Sequence, residues 1–221
     1  TSYVWGCLYS LRRFAGLQVF LQSWISGSPL ILNEVNAGVP QTLSCFIMFG
    51  CNALSATPSM WRKLSMHPLF DQLKLKLITL GGEIADKSTL DMLARRMPDA
   101  KITHIYASTE AGVGFSVSDK KSGFPTDYLF KSPSNMSLRV SADQHLLLKS
   151  PSENWPADND SDWVDSGDIV KIEGNRVIFL GRANGSINVG GNKVMPEEIE
   201  NVIKAIPEIV FVKVQARKSN I

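Results

Sequence analysis

Over the first half of the chain, short apolar runs alternate with longer stretches of helical period. FAGLQVFLQSWIS at 14–26 is apolar around most of its circumference, which predicts a buried or interface helix ending at Gly27. Residues 29–32 predict a short strand and 39–49 a second helix. ALSA at 53–56 leads to Pro58, which forbids a central strand at that point and can open a helix, so SMWRKLSM reads as a short helix. Leu75 to Leu80 predicts a strand ending in Gly81-Gly82-Glu83, and 86–97 a helix with Asp86 as its N-cap. KITHIYASTEAG at 101–112 begins with the β-branched and aromatic residues of a buried strand and runs into a small polar loop, with Gly112 permitting a turn. Strands alternating with helices in this way mark an α/β fold built on a parallel, doubly wound sheet.

Beyond Gly112 the pattern changes. From Phe115 to Phe179 only strands and turns are expected, with a Glu173-Gly174-Asn175 turn between two alternating strands, so an antiparallel subdomain follows the α/β part. Residues 182–186 have the composition of a linker. SINVGGNKV then reads as a hairpin turning at Gly190-Gly191, Pro196 as a helix start, EEIENVIKAI as an amphipathic helix and 210–214 as a strand. This is the start of a small α+β domain. The expected division is therefore 1–183 for a large domain, split into 1–114 (α/β) and 115–183 (antiparallel β), with 184–221 beginning the small one.

Composition narrows the setting. With 221 residues, 44% of them hydrophobic, the chain can bury a sizeable core. The net charge of +2, with both signs interspersed, offers no nucleic-acid surface. Cys7, Cys45 and Cys51 are odd in number and set among apolar residues, as buried thiols of a reducing compartment would be. No apolar stretch reaches membrane-spanning length and no targeting segment opens the chain, so the cytoplasm is the expected location. A start at Thr1 without methionine and a stop at SNI suggest that both ends are cuts.

A strand end followed by a polar loop is where open α/β sheets place ligands. Tyr106 offers a flat ring face, Ser108 and Thr109 offer hydroxyls to an anion, and Glu110 a hard oxygen for a cation such as Mg²⁺. A strand end whose Thr-Glu opens a helix would look the same. Four separated stretches decide more together: Gly81-Gly82-Glu83, Tyr106-Ala107-Ser108-Thr109-Glu110, Ser166-Gly167-Asp168, and Gly181-Arg182 followed by INVGGNKVMPEEIE. In this order and spacing they resemble the adenylate-forming (AMP-binding) enzymes, nearest to the acyl-CoA synthetase-like group.

The resemblance implies an enzyme that joins a carboxylic acid to ATP as acyl-AMP and passes the acyl group to coenzyme A or a carrier-protein phosphopantetheine. It implies that the backbone of Gly81, Gly82 and Glu83 lies on one face of the adenine, with Tyr106 on the other and His104 at its amino edge. Thr109, with Ser108 beside it, would bond phosphate oxygens, and Glu110 would hold Mg²⁺. Asp168 would accept both ribose hydroxyls, as an acceptor-only carboxylate suits, and Arg182 would bond the ribose nearby. Gly190 and Gly191 would line the thiol tunnel. The physical demands agree: the attacking carboxylate is already ionised at neutral pH, so positioning and charge neutralisation are what the site must supply.

Some positions depart from the pattern. Asn184 stands where the hinge more often has Asp, and Asn188 where many members have Lys. A glycine- and hydroxyl-rich phosphate loop and a C-terminal lysine are both absent, so the resemblance implies that this chain alone does not adenylate. Ala15 occupies the place of the acid that pairs with an α-amino group, which favours an apolar carboxylic acid. Trp61, Ala111, Gly112 and Val113 could line its pocket, with Trp61 equally a core aromatic. Asp158, Asp160 and Asp162 alternate as in a calcium loop, but Trp163 and Ile169 stand where that loop needs Gly and Glu. The Asn135 sequon has no meaning in a cytosolic chain. The competing function is a non-catalytic relative that binds AMP or acyl-AMP, or scaffolds partners.

Overall fold

A computed structural model of the protein describes residues 3–33, 37–108, 112–131, 133–134, 136–149, 163–189, 192–206, 208–209 and 211–217. They form two compact units, Thr1–Ile105 with Ser116–Lys121, and Tyr106–Phe115 with Ser122–Ile221.

The first unit is built on β1 (Trp5–Cys7), α1 (Phe14–Ile25), β2 (Leu30–Leu32), α2 (Val39–Met48), β3 (Ala53–Ala56), α3 (Pro58–Ser65), β4 (Leu77–Leu80), α4 (Lys87–Arg96) and the start of β5 (Lys101–Ser108). The sheet runs β2-β1-β3-β4-β5 and then β6 (Gly112–Val117), and the pairs from β2 through β5 are parallel. This confirms the expected α/β class. The helices start where local chemistry allows it: Asp86 accepts the Thr89 N–H, Thr57 accepts the Met60 N–H, and Pro58 takes the first helical position, where its missing N–H costs nothing. Phe46, Leu54, Trp61, Phe70, Ile78, Leu80, Leu90 and Leu93 are fully buried as the core against this sheet.

Two expectations for the sheet change. Ala53–Ala56 is a central strand, buried along its whole length between β1 and β4, and the proline comes only after the strand has ended. The α1 helix keeps the interface alternative of its two expected readings, since Gly16, Val19 and Ser23 are buried while Phe14, Trp24 and Ile25 are exposed. Gly112 opens strand β6 instead of a turn. Cys7 and Cys51 are buried free thiols, as expected, and Cys45 is half-buried. Burial pushes the Cys51 thiol up to about 12.

The second unit holds an antiparallel sheet, β7-β11-β10-β9-β8, from β7 (Phe124–Pro125), β8 (Ser137–Val140), β9 (His145–Lys149), β10 (Val164–Glu173) and β11 (Arg176–Arg182). β10 and β11 turn at Gly174-Asn175, as the sequence predicts. The stretch is not purely strands and turns, since Thr126–Leu129 forms a 3₁₀ turn. Past a 3₁₀ turn at Ala183–Gly185, β12 (Ile187–Val189) and β13 (Asn192–Val194) pair antiparallel, and α5 (Pro196–Lys204) follows. Phe211–Val214 is not a strand, contrary to expectation; the Val214 N–H bonds the buried Glu200 carboxylate instead (2.9 Å). Among the described residues no helix is long and apolar enough to cross a membrane.

Glu200 ties this last segment to α5. Burial alone would raise its carboxyl, but the Val214 N–H, together with Lys204 and Lys213, outweighs burial and leaves it below the ordinary value. A depressed folded value contributes stability that is present above the unfolded value of about 4.3 and is lost as pH falls through the folded one. Amide exchange at Val214 is therefore expected to quicken as pH drops below about 4, after correction for intrinsic rates. Glu200→Gln should abolish that dependence and weaken the segment by about 1–2 kcal/mol at neutral pH.

Candidate functional site

In the first unit, the loop after β4 lies at the carboxyl ends of the parallel strands, the edge where such sheets hold ligands. The Gly81 N–H reaches the Ala56 carbonyl (3.3 Å), continuing the pairing past the strand end. Gly82 has φ +78°, a left-handed conformation that a side chain would strain. Glu83 Oε2 accepts from both the Ser59 N–H (2.8 Å) and the Ser59 hydroxyl (2.6 Å) at the start of α3. Burial pushes the Tyr9 phenol up to about 12; its hydrogen bond to Ser55 works against this, and the charge of Glu83 adds to it. On β5, His104 is buried and its Nε2 meets the Lys121 carbonyl at 3.0 Å. Since a carbonyl only accepts, Nε2 carries a proton in this contact.

In the second unit, Tyr106, Asp168 and Arg182 come together. The antiparallel register sets Asp168 directly opposite Arg182, and the Arg182 Nε donates to Asp168 Oδ1 (3.1 Å). The Tyr106 hydroxyl donates to Asp168 Oδ2 (2.7 Å). A second Arg182 nitrogen donates to the Ser166 carbonyl (2.9 Å), and the Ser166 hydroxyl accepts the Asp168 N–H (3.1 Å). The Tyr106 ring lies nearly parallel to Phe115 (centroids 5.1 Å apart) and Phe179 (5.3 Å). Gly114 leaves it room: a Cβ there would stand 3.0 Å from Tyr106 Cδ1. Burial pushes the Tyr106 phenol well above its ordinary value, so it remains a hydrogen donor across the whole neutral range.

The arrangement can bind a vicinal diol. A carboxylate has about four acceptor positions on its two oxygens. Among the described residues two are taken, by Tyr106 and Arg182, so two lone pairs remain for donors from outside. Ribose hydroxyls fit that donor set.

Other candidates are placed differently. Trp61 sits in the core: it is fully buried, and its indole N–H bonds the Thr79 carbonyl (3.1 Å). Thr109, Glu110, Ala111, Gly190, Gly191, Asn135 and the Asp158–Asp162 run lie outside the described residues, as do the side chains of Ser108, Gly112 and Val113. Among the described residues no group of three or more His, Cys, Asp or Glu could hold a metal ion. A cleft of about 190 Å³, lined by Phe46, Cys51, Gln72 and Lys76 among others, sits where β3 and β4 begin, opposite the ligand edge. The Glu83–Ser59 contact and the Tyr106–Asp168 bond join residues 24 and 62 positions apart, so no local pattern in the sequence signals them.

No family model matches the chain. Curated relatives do. A 2-succinylbenzoate–CoA ligase of Listeria innocua is 27% identical over 235 residues, covering 94% of this chain and 47% of the relative. Among solved structures, ATP-bound MatB from Rhodopseudomonas palustris superposes with a TM-score of 0.69 at 19% identity, over 93% of this chain and 45% of that one. The anthranilate CoA ligase AuaEII in complex with anthranoyl-AMP does so at 0.71 and 17%, over 95% and 45%. The fold is that of AMP-binding ligases, and in sequence the chain is similar to 2-succinylbenzoate–CoA ligases. It spans about half the length of the curated relatives it matches.

Proposed function

We propose that the protein containing these residues is an ATP-dependent ligase that activates a carboxylic acid as acyl-AMP and transfers it to coenzyme A or a carrier thiol. One observation carries this reading: an acceptor-only carboxylate, Asp168, is held between a phenol and a guanidinium with two lone pairs to spare. The CoA-ligase relatives support the same reading.

In this scheme Asp168 takes the ribose hydroxyls, and Arg182 both orients Asp168 and adds a donor beside it. The backbone of Gly81–Glu83, Tyr106 and His104 meet the adenine. Thr109 and Ser108 bond phosphate, Glu110 holds Mg²⁺, which when bound neutralises phosphate charge, and Gly190 and Gly191 flank the thiol arm. The catalytic demand is electrostatic: two anions are brought together and the charge growing on phosphorus is neutralised. Ala15, an apolar residue at the start of α1, fits an acid without an α-ammonium group.

Pyrophosphate exchange on the full-length protein, with a panel of carboxylic acids, tests the proposal. Exchange with an apolar or aromatic acid is expected. Measurable AMP binding without exchange for any acid would establish the non-catalytic reading instead. Glu110→Ala should lower exchange by about 100-fold or more, with partial recovery at high Mg²⁺; an unchanged rate removes Glu110 from the metal.

A further inference from the structure

We propose that Glu83 is a positioning residue: by closing on the first turn of α3, its side chain holds the Gly81–Glu83 backbone in the shape that receives adenylate. This rests on the adenylate-binding reading above and adds a role for a side chain where that reading uses only backbone.

The loop needs such a clamp. Two consecutive glycines make it the least restrained kind of backbone, and Gly82 sits at φ +78°. Left free, it would have to be ordered whenever a ligand arrived, and the entropy lost in that ordering opposes binding. Glu83 follows immediately and reaches across to a helix 24 positions earlier in sequence. There a single oxygen, Oε2, takes both the Ser59 N–H and the Ser59 hydroxyl.

The contact is specific in its chemistry. The first N–H groups of a helix have no partner inside it, and a negative group is favoured there. In α3, Thr57 satisfies the Met60 N–H, while the Ser59 N–H is met by Glu83 from outside the helix. Thr57 also stands against the glycines: a Cβ added to Gly82 would lie 3.6 Å from its methyl. The cap of α3 and the shape of the glycine loop are thus one structure. Glu83 itself is exposed, so the tether fixes the loop without being part of the core.

Titration of the full-length protein with AMP, by calorimetry, tests the inference. Glu83→Ala should weaken AMP about tenfold, the worth of one ordered residue. Its thermal unfolding midpoint should stay near that of the wild type, since the side chain is exposed. Glu83→Gln keeps an oxygen acceptor and should recover most of the affinity. In the absence of nucleotide, amide exchange at Ser59 and Gly82 should quicken in Glu83→Ala and be largely restored in Glu83→Gln. Affinity of Glu83→Ala within about twofold of the wild type overturns the positioning role and leaves the adenylate reading standing. Glu83→Gln binding as weakly as Glu83→Ala, with normal exchange at Ser59, also overturns it, because the carboxylate would then be touching the ligand itself. A wild-type protein that does not bind AMP overturns the reading and this inference together.

Discussion

Arg62→Ala is expected to destabilise the protein by about 3–5 kcal/mol, the cost of leaving one partner of a buried ion pair behind. Arg62 on α3 and Asp86 at the start of α4 have side chains only 9% and 6% exposed, and Nη1 stands 2.6 Å from Oδ2. The same nitrogen donates to the Thr89 hydroxyl (2.7 Å), which in turn donates to Asp86 (2.9 Å). Asp86 Oδ1 is also the N-cap of α4, accepting from the Thr89 N–H and the Ser88 hydroxyl. Removing Arg62 takes the guanidinium away from this buried carboxylate, which keeps its Thr89 and Ser88 donors.

Removing both charges has a different outcome. Arg62→Met with Asp86→Leu exchanges the pair for apolar groups, a change that is often neutral or stabilising in proteins. Arg62 Nε is already buried without a partner among the described residues, so the native pair is imperfectly satisfied. What the double variant cannot replace is the cap, worth about 1 kcal/mol. A urea-denaturation cycle should thus show the double variant losing far less than Arg62→Ala alone, by about 2 kcal/mol or more. A double-variant loss equal to the sum of the two single losses, Arg62→Met and Asp86→Leu, would mean that the two side chains are not coupled.

These groups also show how far the sequence alone reaches. Asp86 was legible as an N-cap because that role is local: a short acceptor placed before a helical period. Its ion pair with Arg62 was not, since nothing local says which helix face meets which. Strand β3 was hidden for the same reason. Three small residues and one leucine carry no periodicity, and their strand character comes from the neighbours on either side.

At the candidate site the limit is one of register. Counting back from the Gly174-Asn175 turn, Glu173 pairs with Arg176 and Val170 with Phe179, so uninterrupted pairing would set Asp168 against Gly181. Arg182 would then project from the opposite face. A bulge between Ile169 and Val170 shifts the register by one and sets Asp168 against Arg182. The sequence supplied the right residue types, and the resemblance supplied their roles. The bulge that brings them onto one face has no residue signature.

Asp168→Ala is expected to weaken AMP binding by about 100-fold or more. Two hydrogen bonds to a charged acceptor are lost, each worth about 1.5–3 kcal/mol, and every 1.4 kcal/mol is tenfold. A loss of affinity alone would not separate ligand contact from damage, because the Tyr106 hydroxyl loses its acceptor too. The ligand provides the separation. Wild-type protein should bind 2′-deoxy-AMP about tenfold or more less tightly than AMP, since one of the two donors is gone. Asp168→Ala should bind the two nucleotides alike, because the group that tells them apart has been removed. Tyr106→Phe should keep the wild-type discrimination while losing some affinity, for it frees one Asp168 oxygen without removing it. Undiminished discrimination in Asp168→Ala would place the ribose elsewhere and leave the Asp168–Arg182 pair as a strut between β10 and β11.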